Sequence, residues 1–210
     1  MFVGHFGVAN LLTAAFPRVP ALVAYAGVSF PDLLWGGLVM AGVEEVRVDP
    51  DSPLQTRTTF VQYRYSHSLV LTTVIALVPA VALSLLLRSP IAGLVFLLGS
   101  ISHWVLDVLV RRDLPVLGFG RDRTVGLGLW EHSRLAFAAD YLLFAVPTLA
   151  VWPLARAWPV LLVGAVFHVL NANAFFGWTR ANPWRTPRRF AGVVLFGFVA
   201  LSWALHGFVP

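Results

Sequence analysis

Long apolar runs, separated by tight turns or by polar segments rich in arginine, dominate the chain. They cover residues 4–17, 19–43, 66–87, 90–110, 134–153, 158–178 and 190–208. Most approach the roughly 20 residues an α-helix needs to cross a hydrocarbon core. The first is shorter and reads as a tilted span or one limb of a re-entrant hairpin. The second contains Ser29-Phe30-Pro31-Asp32, where Pro31 removes a backbone donor and is expected to bend or break the helix. A break at depth is tolerated only inside protein or beside a polar cavity. The pattern predicts an all-α, polytopic transmembrane helical bundle of about six to seven spans, a single integral-membrane domain over residues 1–210. Its motif-bearing part is 1–115, its additional spans lie within 134–208, and the polar segments 44–65, 111–133 and 179–189 read as loops.

Composition supports a membrane protein. The chain is 58% hydrophobic and 12% charged, with a mean hydropathy of +0.78, whereas soluble domains carry roughly 25% charged residues. Cysteine is absent, which excludes disulfides, Cys-ligated zinc and iron–sulfur centres. No cleavable signal peptide is evident at the N-terminus. All 15 basic residues are arginine. With seven spans, the segments 44–65, 111–134 and 179–189 share one side and carry twelve of them, leaving Arg18, Arg88 and Arg156 opposite. Basic residues mark the cytoplasmic face, so the N-terminus and large loops are expected in the cytoplasm. That topology accounts for the net charge of +5; membrane lipids are the expected partners, and no nucleic acid is expected.

Against this apolar background a few polar residues stand out. His103 and Asp107 lie four apart near the end of the 90–110 run, so a helix puts both on one face. Ionisable residues inside a span cost about 2.5–3.5 kcal/mol on insertion scales and point to function. His5, Asp32 after the Pro31 position, and His67 within Ser66-His67-Ser68 fall near the same level of the predicted bundle. His5, Asp32, His67, His103 and Asp107 are therefore the expected metal ligands. Three imidazoles and two carboxylates suit Zn²⁺, less distinctively Mn²⁺ or Fe²⁺. Five exceed the three protein ligands of a usual catalytic zinc, so two metals share the site or one residue serves as a base or supporting group. Asp32 and Asp140 are the candidate catalytic carboxylates, Asp140 alternatively a supporting one or the partner of a loop arginine. His168 and Asn171 share a face and read as interhelical hydrogen-bonding residues, and His132 as an edge residue. Arg64, Arg111, Arg112, Arg121 and Arg123 are either anchors for an anionic head group or ordinary positive-inside residues.

Gly4-His5-Phe6-Gly7, Pro31-Asp32, Ser66-His67-Ser68 and Ser102-His103-Trp104-Val105-Leu106-Asp107 occur in this order over about the first 110 residues. The ordered set resembles the YdjM-like family of bacterial inner-membrane metal-dependent hydrolases. The Asp113-Leu114-Pro115 and Gly126-Leu127-Gly128-Leu129-Trp130 segments look like a subgroup of these proteins. Such proteins often carry His-Arg-Gly-x-Thr-His-Ser, whereas here Gln62 stands in place of the first histidine. The family is similar in its His/Asp motifs to zinc-dependent phospholipases C and P1-type nucleases. The resemblance implies a phosphoester or phospholipid substrate, although fold does not fix function. The expected activity is hydrolysis by a metal-bound hydroxide of a phosphoester or other ester at the cytoplasmic leaflet. A proton- or metal-ion-coupled transporter and a non-catalytic membrane scaffold are the alternatives.

Overall fold

The computed structural model describes residues 1–209. Nine helices make up nearly all of its regular structure: α1 (His5–Ala15), α2 (Ala21–Met40), α3 (Arg64–His67), α4 (Leu69–Leu86), α5 (Pro90–Val110), α6 (Ser133–Val151), α7 (Leu154–Leu170), α8 (Asn173–Phe176) and α9 (Pro187–His206). Five of them, α2, α4, α5, α6 and α9, are long and apolar enough to cross a membrane by length and composition; α7, also apolar, has 17 residues, the lower limit for a span. Counting it gives six. The all-α bundle expected from the apolar runs is what the structure has.

α4 shows which solvent the bundle is built for. Its buried residues are Thr72, Ala76 and Ala80, while Val74, Val78, Val81, Leu85 and Leu86 are exposed. Small side chains face the neighbouring helix and large apolar ones face outward. That inverts the water-soluble arrangement and fits packing in lipid, where close approach rather than apolar burial drives association.

α1 resolves the ambiguity of the first apolar run. At 11 residues it is about 16 Å long, roughly half a hydrocarbon core. It therefore forms the short limb of a hairpin with α2, and His5 begins inside the bundle rather than at its end. Of the bend or break expected at Pro31, α2 excludes the break: it continues without interruption from Ala21 to Met40, with Pro31 inside it. Proline there removes one intrahelical bond without ending the helix.

Small residues set the crossing of α2 and α5. A Cβ on Gly27 would lie 2.5 Å from Phe96 O, and one on Gly99 would lie 2.9 Å from Val28 N. Only glycine permits this approach, and it brings α5 within reach of the α2 backbone just where the site begins. The polar segments are not plain loops. Glu45–Arg47 (β1) pairs antiparallel with Thr59–Gln62 (β2), and Leu114–Pro115 (β3) with Thr124–Val125 (β4). Away from the site, buried polar groups satisfy one another: Tyr25 Oη–H donates to Asn10 Oδ1 at 2.7 Å, and Asn10 Nδ2–H to Thr148 Oγ1 at 2.7 Å.

Candidate metal centre

Four helices deliver the five expected ligands to one place. His5 comes from the first turn of α1, Asp32 from α2, His67 from the end of α3, and His103 and Asp107 from successive turns of α5. All are buried except Asp32, whose side chain is 16% exposed. His67 Nε2 is 3.4 Å from Asp32 Oδ1 and 3.9 Å from Asp107 Oδ2. His103 Nε2 is 3.4 Å from Asp32 Oδ2 and 3.8 Å from Asp107 Oδ2. His5 Nε2 lies 3.4 Å from Asp107 Oδ1, and its ring stacks on His103 with centroids 3.7 Å apart. Donor atoms sharing one metal at 2.0–2.2 Å stand roughly 3–4 Å from each other, which is the spacing of these imidazole–carboxylate pairs. Two overlapping groups, His5–His103–Asp107 and Asp32–His67–His103, could each hold a metal ion.

The far side of each ring decides which nitrogen is free. His103 Nδ1 is 2.7 Å from the Val28 carbonyl; a carbonyl only accepts, so Nδ1–H donates and Nε2 presents its lone pair to the cluster. For His67 the argument runs through Ser66. The Ser66 hydroxyl donates to Glu44 Oε2 at 2.6 Å, so His67 Nδ1, 2.8 Å away, is the donor in that contact. Its Nε2 is likewise bare. Such outer hydrogen bonds fix the tautomer of a ligating histidine. Nε2 of both His5 and His103 has no hydrogen-bond partner among the described residues, and buried imidazole nitrogens rarely go unsatisfied. Since His103 offers one free nitrogen, it can serve only one ion of a pair. Asp107, with Oδ1 toward His5 and Oδ2 toward His67 and His103, faces both groups. The Met1 amine also approaches Asp107 Oδ1, at 2.8 Å.

Glu44 was hidden in the sequence among the charges of a polar segment. It is 3% exposed and also accepts from Tyr65 N and Ser66 N, so it carries α3 and with it His67. Burial pushes its carboxyl above the usual carboxylate range, against the pull of the Ser66 hydrogen bond and the nearby His67.

Asp140 is fully buried but belongs to a different constellation. Its Oδ1 accepts from Phe2 N at 3.1 Å and Gly4 N at 2.9 Å, and its Oδ2 is 3.3 Å from His168 Nδ1. It anchors the N-terminus of α1, one residue before His5, and stands outside both groups of candidate ligands. The geometry thus makes it a supporting carboxylate and leaves Asp32 as the acidic side chain partly open beside the imidazoles. His168 is interhelical, as its position on α7 suggested. His132 is exposed. Gln62 sits at the end of β2, half-buried, its Nε2 3.5 Å from Val43 O, and takes no part in the cluster.

A cavity of about 410 Å³ opens beside the centre, with Asp32, His67 and Asp107 in its wall. Phe60, Trp130 and Asn182 from the three arginine-rich segments also line it, so these segments gather at one end of the bundle. Fold and site together define a helical bundle of membrane-crossing dimensions around a buried imidazole–carboxylate group that could hold a metal ion. Comparison with protein-family models, curated proteins and solved structures gives no match for this chain.

Proposed function

We propose that the protein is a membrane-embedded metal-dependent hydrolase acting on phosphoesters at the cytoplasmic leaflet, of the kind its motifs resemble. One observation carries this reading: imidazole nitrogens from three helices, two of them unpartnered among the described residues, converge with two carboxylates, and Asp32, His67 and Asp107 of this cluster line a cavity. A helix-gluing role needs one mate for each polar group, whereas here three imidazoles and two carboxylates gather at one point.

The residues fit a divalent cation. The donor set is nitrogen and oxygen without sulfur, which suits zinc. His67, His103, Asp32 and Asp107 would hold it, with His5 completing the set or serving a second ion through Asp107. Bound there, the cation would supply Lewis acidity, lowering the pKa of water and polarising an ester oxygen. The chain's own groups do the rest. Val28 O and Ser66 keep the imidazoles in the ligating tautomer. Asp32, open to the cavity, is within reach of a proton released by water entering there. The apolar helices around the cluster keep other water out, which strengthens each charge interaction inside. The arginine-rich end of the bundle is the cytoplasmic one by the distribution of basic residues, and residues of all three arginine-rich segments line the cavity.

The experiment is elemental analysis of the purified full chain after zinc loading, together with release of phosphate or alcohol from phosphoester lipids. At least one tightly held zinc per chain and zinc-dependent turnover are expected. A chain that retains no metal and cleaves nothing would leave these side chains as structural glue.

A further inference from the structure

Five arginines border the centre in sequence, and the structure separates one from the rest. Arg64, Arg112, Arg121 and Arg123 are exposed, whereas Arg111 is 4% exposed and lines the same cavity as Asp32, His67 and Asp107. Its guanidinium carbon lies 4.0 Å from the Phe60 ring centre, 4.3 Å from Tyr63 and 5.5 Å from Trp130. Its only hydrogen bond among the described residues is from Nε–H to Asp113 Oδ1, a long 3.4 Å contact to a side chain that is 57% exposed. A guanidinium has five N–H donors, and aromatic faces offset only part of the cost of burying a cation. Arg111 is thus a caged positive charge whose one ion pair is a long contact to an exposed carboxylate, and it faces a cavity.

The backbone that carries it is held as firmly. Leu127 N donates to Val108 O and Gly128 N to Arg111 O, each at 2.8 Å. A Cβ on Gly126 would come within 2.0 Å of Arg111 O, so the Gly126-Leu127-Gly128 run is glycine-rich to let this loop seat on the end of α5. Trp35, buried on the cavity wall, has an indole N–H with no partner among the described residues and is a second donor there.

The part of the wall that α7 and α9 supply is largely apolar and reaches the outer surface. Leu170 on α7 and Phe196 on α9 both line the cavity, yet are 74% and 71% exposed. The gap between these two helices therefore opens sideways, onto the face that lipid would cover. At about 410 Å³ the cavity is in the range of small-molecule sites: room for a head group, with tails left outside.

We propose that Arg111 binds the phosphate of a phosphoester lipid beside the metal centre, and that the acyl chains leave between α7 and α9. This names the substrate class for the hydrolase reading and rests on it, but binding can be measured apart from turnover. Full-length protein in detergent, stripped of metal by chelator, is titrated with phosphatidic acid carrying a fluorescent acyl chain. The matching diacylglycerol and inorganic phosphate are the other arms. Arg111→Gln is expected to weaken phosphatidic acid binding at least about tenfold, the scale of a charge-assisted hydrogen bond, and to leave diacylglycerol unchanged. Arg111→Lys, which keeps the charge, should recover part of the loss. Unchanged binding in Arg111→Gln overturns the assignment. Inorganic phosphate competing as well as the lipid would make the ligand a soluble phosphoester and overturn the lateral route.

A photo-crosslinking residue at Phe196 reads the route without touching Arg111. It should capture phosphatidic acid in preference to diacylglycerol, and the same residue at Leu86, exposed on α4, should show no preference. Equal capture at both positions overturns the route. Failure of the hydrolase reading is seen separately, as intact lipid binding without metal or turnover.

Discussion

Two buried histidine–aspartate constellations lie in this bundle, and they are built to opposite ends. Between α6 and α7, Asp140 and His168 form a closed pair: the carboxylate's oxygens are engaged by Phe2 N, Gly4 N and the imidazole, and the ring stacks on Phe137 at 3.9 Å. Among α1, α2, α3 and α5, three imidazoles and two carboxylates meet with spare capacity and a cavity beside them. An orphaned nitrogen alone does not separate the two, since His168 Nε2 also lacks a partner. Convergence does: among the described residues no third ligand candidate joins His168 and Asp140 in a group, whereas at His103 four ligand candidates meet. Buried His and Asp thus serve architecture when each is spent on its neighbour, and become a site when several are left unspent together.

The sharpest way to break this contrast is to remove metal-binding capacity from one constellation only. His103→Ala with Asp107→Ala should abolish bound zinc while the helical circular dichroism persists. The mirror experiment, His168→Phe, should keep the zinc content of the wild type. Equal zinc in both variants would erase the distinction. The next largest effect belongs to the closed pair. Asp140→Ala strands two backbone N–H groups and an imidazole, a loss of about 3–5 kcal/mol for a broken buried pair, so Tm should fall by on the order of 10 °C. If Tm holds, Asp140 is not the anchor of α1.

How much of this was legible beforehand follows from what each residue's neighbours are. The five ligand candidates announce themselves because charge is rare in apolar runs, and His103 and Asp107 share a face by helical arithmetic. The arginine asymmetry likewise reads directly as one crowded end. Glu44 does not, because in a segment that also holds Glu45, Asp49 and Asp51 nothing marks the one carboxylate that burial selects. Nor does Arg111 differ from Arg112 on paper; the aromatic cage comes from Phe60 and Tyr63, some 50 residues earlier, and from Trp130. Pro31 misleads in the other direction. Its chemistry forbids one hydrogen bond, but packing against α5 and α9 keeps α2 helical through it. The short α1 is ambiguous for a similar reason, since an apolar run does not say whether it crosses or turns back.

A smaller effect sharpens the open constellation from outside. Ser66→Ala removes the acceptor that fixes the His67 tautomer while leaving His67 itself in place. Loss of such an outer partner weakens metal affinity typically 10–100-fold, and zinc competition with a fluorescent chelator should show a shift of that order. Glu44→Gln keeps the acceptor oxygen and the shape but removes the charge, so its shift should fall below that of Ser66→Ala. The reverse order would mean that the carboxylate acts on the metal through its field rather than by holding α3.

The smallest expected effect is none, and it tests whether the cluster or the motif is the site. Gln62 stands where the resembled family often has a histidine, so a motif-based view would have Gln62→His add a ligand and raise zinc stoichiometry. The structure gives a different expectation. Gln62 closes β2 in register with Glu45 and directs its amide toward Val43 O at 3.5 Å, while the turn into α3 intervenes before His67 enters the cluster. A histidine there would meet the β1–β2 ribbon, with no carboxylate or imidazole of the centre beside it. Zinc content, affinity and Tm should all match the wild type. A second equivalent of zinc in Gln62→His would mean that the ribbon swings inward when metal binds, and that the open constellation is wider than these five side chains.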